Sequence, residues 1–215
     1  MPRAYFYVVD RDFGFAPNPF HGCCTLATCK PKIRARAHPG DWVIGMGGTR
    51  LKATGRCVFA MRVSQVLSFN QYWTSQHYFD KRPVRNGTPR MIVGDNIYRR
   101  DANTREWRQA DSHHSNADGT VNNHNLERDT HADCVLISDY FFYFGANAPN
   151  VPQCILDEIG YRNCRDYRVF EQSECAVFLD WLQEQYGHDV NCVLGDPFDF
   201  AASSKRYSAE DNRIR

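Results

Sequence analysis

Neither sign of charge dominates this chain. Its 26 lysines and arginines meet 25 aspartates and glutamates, for a net charge of +1. A molecule-wide basic surface is excluded, so any contact with nucleic acid has to come from a local patch. Long apolar runs are missing too: no stretch approaches the ~20 consecutive apolar residues of a membrane span. The opening residues, MPRAYFYVVDRDFG, hold no apolar leader of the secretory kind. A cytoplasmic protein without membrane contact is expected, with most of its nine cysteines reduced. There is no CxxC pair and no second half of a zinc motif, so no metal site is expected from the cysteines. Gly45-Met46-Gly47-Gly48 has neither the spacing nor the following helix of a phosphate-binding glycine fingerprint. Internal repeats and low-complexity tracts are absent.

What is present is a globular composition, 42% hydrophobic and 13% aromatic over 215 residues, enough for a core without staples. Tyr5 to Val9, Trp42 to Met46, Arg56 to Val63, Val135 to Ser138 and Phe141 to Gly145 read as strands. Ile97 to Arg108 reads as a hairpin. Ser68 should cap a short helix, and the residues from 80 to 90 should be an exposed basic loop. Asp111 to Thr130 is polar throughout. After Pro149, Gln153 to Ile159 should be helical. Ser173 should cap a helix whose Cys175, Phe178, Leu179, Leu182 and Tyr186 form one apolar stripe, and Gly187 should end it. Cys57, Cys134, Cys154, Cys175 and Cys192 stand among apolar neighbours and are expected in the core. The tail from Ala201 should fray. Strands followed by helices predict an α+β class with a bent sheet or small barrel over residues 1–150, and a helical extension over 151–215 packed on it.

Two polar segments carry the candidate chemistry. The first, Pro17 to Ile44, holds His21, Cys23, Cys24, Thr25, Thr28, Cys29 and Lys30, then the basic Lys32, Arg34 and Arg36. A thiol or hydroxyl becomes a nucleophile when a base or cation lies beside it, which marks Cys24 and Thr25 as catalytic candidates. Lys30 and Arg34 suit phosphate, and His21 could act as a base or contact the nucleotide. The second segment, Asp111-Ser112-His113-His114-Ser115, offers general acid–base groups at His113, His114 and Asp111. Asp95 and Asn96, in a turn before a strand, could read a base edge. Every one of these residues also has an ordinary reading, as a packed loop or a solvated turn.

The strings PNPFHGCCTLATCKPKIR, GDWVIG, GDNIY, WRQADSHHS and VLISDYFFYFG resemble the family called nucleotide modification associated domain, type two, over roughly residues 3–150. The resemblance implies a bacterial or phage protein acting around the modification of bases in DNA. PKIRARAHPGDWVIGMG followed by RCVFAMRVSQVLSF is similar to the PUA-like group, which includes ASCH and EVE domains. That likeness implies a small barrel holding a nucleotide or a strand of nucleic acid, DNA in preference to RNA. Lys32 stands where a threonine of that group would fall, which sets an ASCH-like hydrolysis aside. Two other functions compete. One is a reader of modified bases using Tyr98, Trp107 and Trp42 without chemistry. The other is a metal-dependent enzyme using Asp111 and His113 with His124 or His131. Nothing in these strings names a cofactor. On the leading reading the two polar segments meet at one cavity.

Overall fold

The computed structural model describes residues 2–215. In chain order the elements are β1 (Arg3–Val9), β2 (Cys24–Leu26), α1 (Pro31–Arg34), β3 (Trp42–Gly47), β4 (Cys57–Arg62) and β5 (Gln65–Leu67). Then come α2 (Phe69–Thr74), α3 (Pro89–Ile92), β6 (Tyr98–Arg100), β7 (Trp107–Gln109), α4 (Asn123–Thr130), β8 (Val135–Ser138) and β9 (Tyr140–Tyr143). The chain closes with α5 (Gln153–Glu158), β10 (Tyr167–Glu171), α6 (Ala176–Tyr186), β11 (Cys192–Val193), β12 (Tyr207–Ser208) and β13 (Arg213–Ile214).

Six strands form the main sheet in the order β10-β1-β3-β4-β9-β11. The mixed α+β class expected from the sequence is the one observed. The sheets are open rather than closed into a barrel, because β10 and β11 are free edges. β1 runs parallel to β3, so the 32 residues between them must cross over; that crossover is the first polar segment. β3 is buried along its whole length, as a central strand covered on both faces must be. A second sheet, β2-β8-β5, ties the crossover to the rest of the chain through Cys24 to Leu26.

Residues after 150 supply both edge strands of the main sheet and the helix α6. Phe178 of α6 meets Phe6 of β1 edge-on at 5.2 Å, and Leu182 is buried beside it. The stripe seen in the sequence therefore covers the sheet. Its cap differs from expectation: Glu171, with Glu174, makes the capping box and a 3-10 turn over Gln172–Cys175 precedes α6. Ser68 does cap α2, in a complete capping box with Gln71. Cys57 and Cys175 are buried, but Cys154 and Cys192 are exposed and Cys134 is half-buried. All nine cysteines are unpaired. The basic stretch from 80 to 90 is not wholly exposed, since Lys81 is fully buried. The tail does not fray at Tyr207: β12 pairs with β13 and packs on the second polar segment. Among the described residues no helix is long and apolar enough to cross a membrane.

Gly45 of β3 lies where a Cβ would come within 2.2 Å of the buried Phe59 ring and 2.7 Å of Val9. Gly45→Ala must push two core side chains apart, and is expected to cost about 1–3 kcal/mol. Urea unfolding checks this; an unchanged midpoint would show that the two strands can yield.

Candidate functional site

Beyond the C-terminal end of β1 lies a cleft of about 240 Å³. Its walls include Tyr7, Asp10 and Arg11 at the strand end, Phe13 and Phe15 after it, and Cys29 with Lys30 from the crossover. His113, His114, Arg128 and Tyr207 close it from the other side. The two polar segments thus meet across one cavity. A wider groove, lined by Lys30, Lys32, Arg128, Arg165 and Asp166, continues from it; Asp166 pairs with Lys32 and leaves the rest basic.

The chain around Cys29 is held in an unusual shape. Cys29 and Lys30 both take left-handed backbone angles, φ 58° and 40°. Such angles cost non-glycine residues about 1–3 kcal/mol each unless the surroundings enforce them. Enforcement comes from Arg34, whose Nε donates to Cys29 O at 2.8 Å and whose other nitrogens donate to the carbonyls of Asp129, Ala132 and Cys134. Asp129 adds a second tie, accepting from Cys29 N–H at 2.8 Å.

Lys30 has no ion pair and no hydrogen bond among the described residues; its Nζ stands 4.3 Å from the centre of the Tyr7 ring. Burial lowers its pKa, and nearby Cys29 and Asp166 only partly offset that. The Tyr7 hydroxyl is buried and also lacks a partner among the described residues.

The adjacent histidines point to different tasks. His113 stacks near Phe13, at 4.5 Å between ring centres, and lies almost parallel to Tyr207. Its Nδ1–H donates to Lys205 O at 2.6 Å, which leaves Nε2 as an acceptor. Burial, and then the charge of His114, push its pKa down to about 3. His114 goes the other way. Burial opposes its charge, but the Asp129 carboxylate 2.7 Å from Nδ1 outweighs that and raises it to about 9. Its Nε2 faces Cys29 Sγ at 3.8 Å. Asp129 also accepts from Tyr98 Oη at 2.9 Å and is held below the usual carboxylate value despite its burial, by His114 and Arg34. At neutral pH one imidazole is therefore neutral and its neighbour charged.

Of the residues singled out from the sequence, the structure gathers Lys30, His113 and His114 at the cleft. The others lie elsewhere. Cys24 is fully buried in β2 and burial drives its thiol pKa upward. Thr25 and Asp95 belong to a buried network: Thr25 Oγ1 donates to Asp95 Oδ2 at 2.6 Å, Tyr72 Oη to Asp95 Oδ1 at 2.8 Å, and Lys81 Nζ reaches Asn18 and Cys23 carbonyls. Asn96 donates to the carbonyls of Tyr72 and Tyr78. Arg34 is a structural clamp, 1% exposed, and does not line the cleft. His21 is exposed outside it. Asp111 pairs with Arg206 at the surface. With Asp111 so engaged, and His124 and His131 exposed, no three His, Cys, Asp or Glu side chains gather as metal ligands among the described residues. The aromatic residues of a reader are not an open cage: Tyr98 and Trp107 pack edge-on against Phe69, and Trp42 is buried against Tyr140. Cys29 was visible in the sequence as part of the thiol-rich loop. Asp129 was not, since α4 buries Asn125 and Asp129 and shows no apolar stripe; Asn122 at its N-cap was the available signal.

The family model described as nucleotide modification associated domain 2 matches residues 1–204 of the chain. The match runs well past the 3–150 stretch that carries the sequence resemblance. No curated protein and no solved structure matches.

Two predictions follow from the clamp and the histidine pair. Arg34→Ala strands four carbonyls at once, two of them in fully buried bonds, and is expected to destabilise by about 3–5 kcal/mol, measured by urea unfolding. His113, with its pKa lowered from 6.5 to about 3, adds stability that is full above 6.5 and is lost as pH falls toward 3. Asp12, raised to about 6 by burial, acts in the opposite sense over part of that window. The comparison to make is wild type against His113→Gln, in which Asp12 cancels. The variant's melting temperature should fall short of wild type above 6.5 and converge with it in acid; a constant gap would show that His113 is not held neutral.

Proposed function

We propose that this chain, which belongs to the nucleotide modification associated domain 2 family, binds a nucleotide in the cleft between Lys30 and His113. The family description ties the chain to nucleotide modification. The observation that supports a phosphate here is Lys30: a half-buried cation with no carboxylate against it, at the join between the cleft and the basic groove. A buried charge normally has a partner, and an anion brought by the ligand would supply one. Arg128 and Arg165 extend the same positive field along the groove. Phe13, Phe15 and Tyr207 give the base apolar faces, and His113 Nε2 accepts from a ring N–H or amino group.

The cleft suits one nucleotide unit, either free or exposed at the end of a DNA strand. Titration with deoxynucleoside monophosphates and with a short single-stranded DNA tests this. Lys30→Ala is expected to weaken binding about tenfold or more, the effect of losing one charge-assisted phosphate contact. His21→Ala, outside the cleft lining, should bind as wild type does. Equal affinity of the Lys30 variant and wild type would reject the assignment.

A further inference from the structure

Cys29 is the thiol that lines the cleft. Its Sγ lies 3.8 Å from His114 Nε2, and His114 Nδ1 lies 2.7 Å from Asp129 Oδ2. Nucleophile, proton partner and orienting carboxylate are thus in sequence through space, which is how such sites are recognised irrespective of chain order. The arrangement is over-determined. Asp129 holds both the imidazole and the Cys29 backbone N–H, while Arg34 holds the Cys29 and Asp129 carbonyls. The next residue, Lys30, is the cation assigned above to phosphate. A nucleotide anchored there is presented to the sulfur.

We propose that Cys29 is a covalent nucleophile that adds to C6 of a pyrimidine nucleotide, with His114 as its proton partner and Asp129 as a positioning residue. This rests on the nucleotide-binding reading above. The base class follows from the chemistry of the electrophile. In an unmodified pyrimidine, C6 is conjugated to the C4 carbonyl or amidine, so a thiolate adds there with no leaving group. The Sγ–C6 bond forms as the C5=C6 π bond breaks, and the electron pair moves to C5 and the C4 substituent. The proton on His114 Nε2 passes to C5. On return the original C5 hydrogen leaves as a proton to water in the cleft, the S–C6 bond breaks, the ring and thiolate are restored, and His114 regains a proton from solvent. No oxidant or second substrate is consumed. The proton on His114 Nε2 is the one Cys29 gives up in forming the thiolate, so His114 starts the cycle as the acid.

Such a cycle exchanges the C5 hydrogen with solvent. The test incubates the full chain with deoxycytidine or deoxyuridine monophosphate in deuterated water and follows deuterium at C5 by NMR, alongside nucleotide binding. In parallel, iodoacetamide labelling at neutral pH is mapped by mass spectrometry. Wild type should exchange the C5 hydrogen and label Cys29 faster than the exposed Cys154 and Cys192. Cys29→Ser should bind the nucleotide but lose exchange, and His114→Gln should slow exchange by about 10²-fold or more. Asp129→Asn should move the pH profile of Cys29 labelling, because His114 then loses its proton at lower pH; a merely structural role leaves that profile in place. Circular dichroism shows which variants are folded. Binding without exchange by wild type, exchange that survives in Cys29→Ser, or Cys29 labelled no faster than Cys154 each overturns covalent addition while leaving the phosphate site intact. Failure of wild type to bind either nucleotide overturns both readings.

Discussion

One buried guanidinium holds the two halves of the cleft together. Arg34 reaches from α1 to the carbonyls of Cys29 in the crossover and of Asp129, Ala132 and Cys134 at the end of α4. A fully buried arginine is tolerated only when its donors are satisfied, and its planar fork fits several fixed acceptors in a way a lysine cannot. Carbonyl dipoles do most of this here, with Asp129 as the nearest countercharge. The consequence is geometric. Cys29 and Asp129 are 100 residues apart in the chain, yet the same side chain fixes both backbones. Without it, only the Asp129 carboxylate would hold the left-handed turn at Cys29 and Lys30.

Lys81 plays the matching part at the other end of the crossover. It is buried beneath Asn18, Cys23 and Thr25 and balanced through Asp95. Between these two buried cations the crossover has no freedom to move its polar groups. Thr25, Asp95, Asn18 and the Cys29 N–H all have partners, whereas the buried Thr28 hydroxyl has none among the described residues. At the cleft the Lys30 ammonium, the Tyr7 hydroxyl and the His113 Nε2 have no partner among the described residues. Buried polar groups without partners are few in folded proteins; the Tyr7 hydroxyl is one in the cleft wall, while others, such as Thr28 Oγ1 and Asn96 Oδ1, lie away from it.

Much of the fold was legible, for simple reasons. β1, β3, β4, β8 and β9 are runs of aromatic and β-branched residues, and the α6 stripe repeats at helical spacing. The meeting of the two polar segments was legible as well, since neither would be so rich in unlike polar groups as a plain loop. Individual assignments within them were less so. Cys24 and Cys29 look alike in sequence, but Cys24 lies in β2 with its side chain packed inward, while Cys29 sits at the turn. Arg34, Thr25, Asp95 and Asn96 read as ligand groups because charged and amide side chains are seldom fully buried. Here each is buried and paired by segments distant in the chain, which no local pattern records. Asp129 was hidden for the complementary reason: α4 is anchored by polar contacts, so it lacks the apolar periodicity that announces a helix.

The split protonation of the histidine pair shows how one sequence motif yields two chemically unlike rings. His113 and His114 are adjacent, and both are buried. Burial alone would make both neutral, and proximity would only deepen that for one of them. What separates them is a single carboxylate. Asp129 lies against Nδ1 of His114, while His113 has a backbone carbonyl in the same position. A carbonyl fixes the tautomer without compensating charge; a carboxylate does both. The first gives a neutral acceptor at the cleft, and the second gives a proton held beside the Cys29 sulfur. Pairs of titratable groups driven apart in this way are the arrangement from which acid and acceptor roles follow at neutral pH. The backbone that presents them is pinned in turn by Asn125, whose amide donates to His114 O and Tyr207 O. The docked tail and the polar helix are therefore part of the machinery that keeps the two rings unlike.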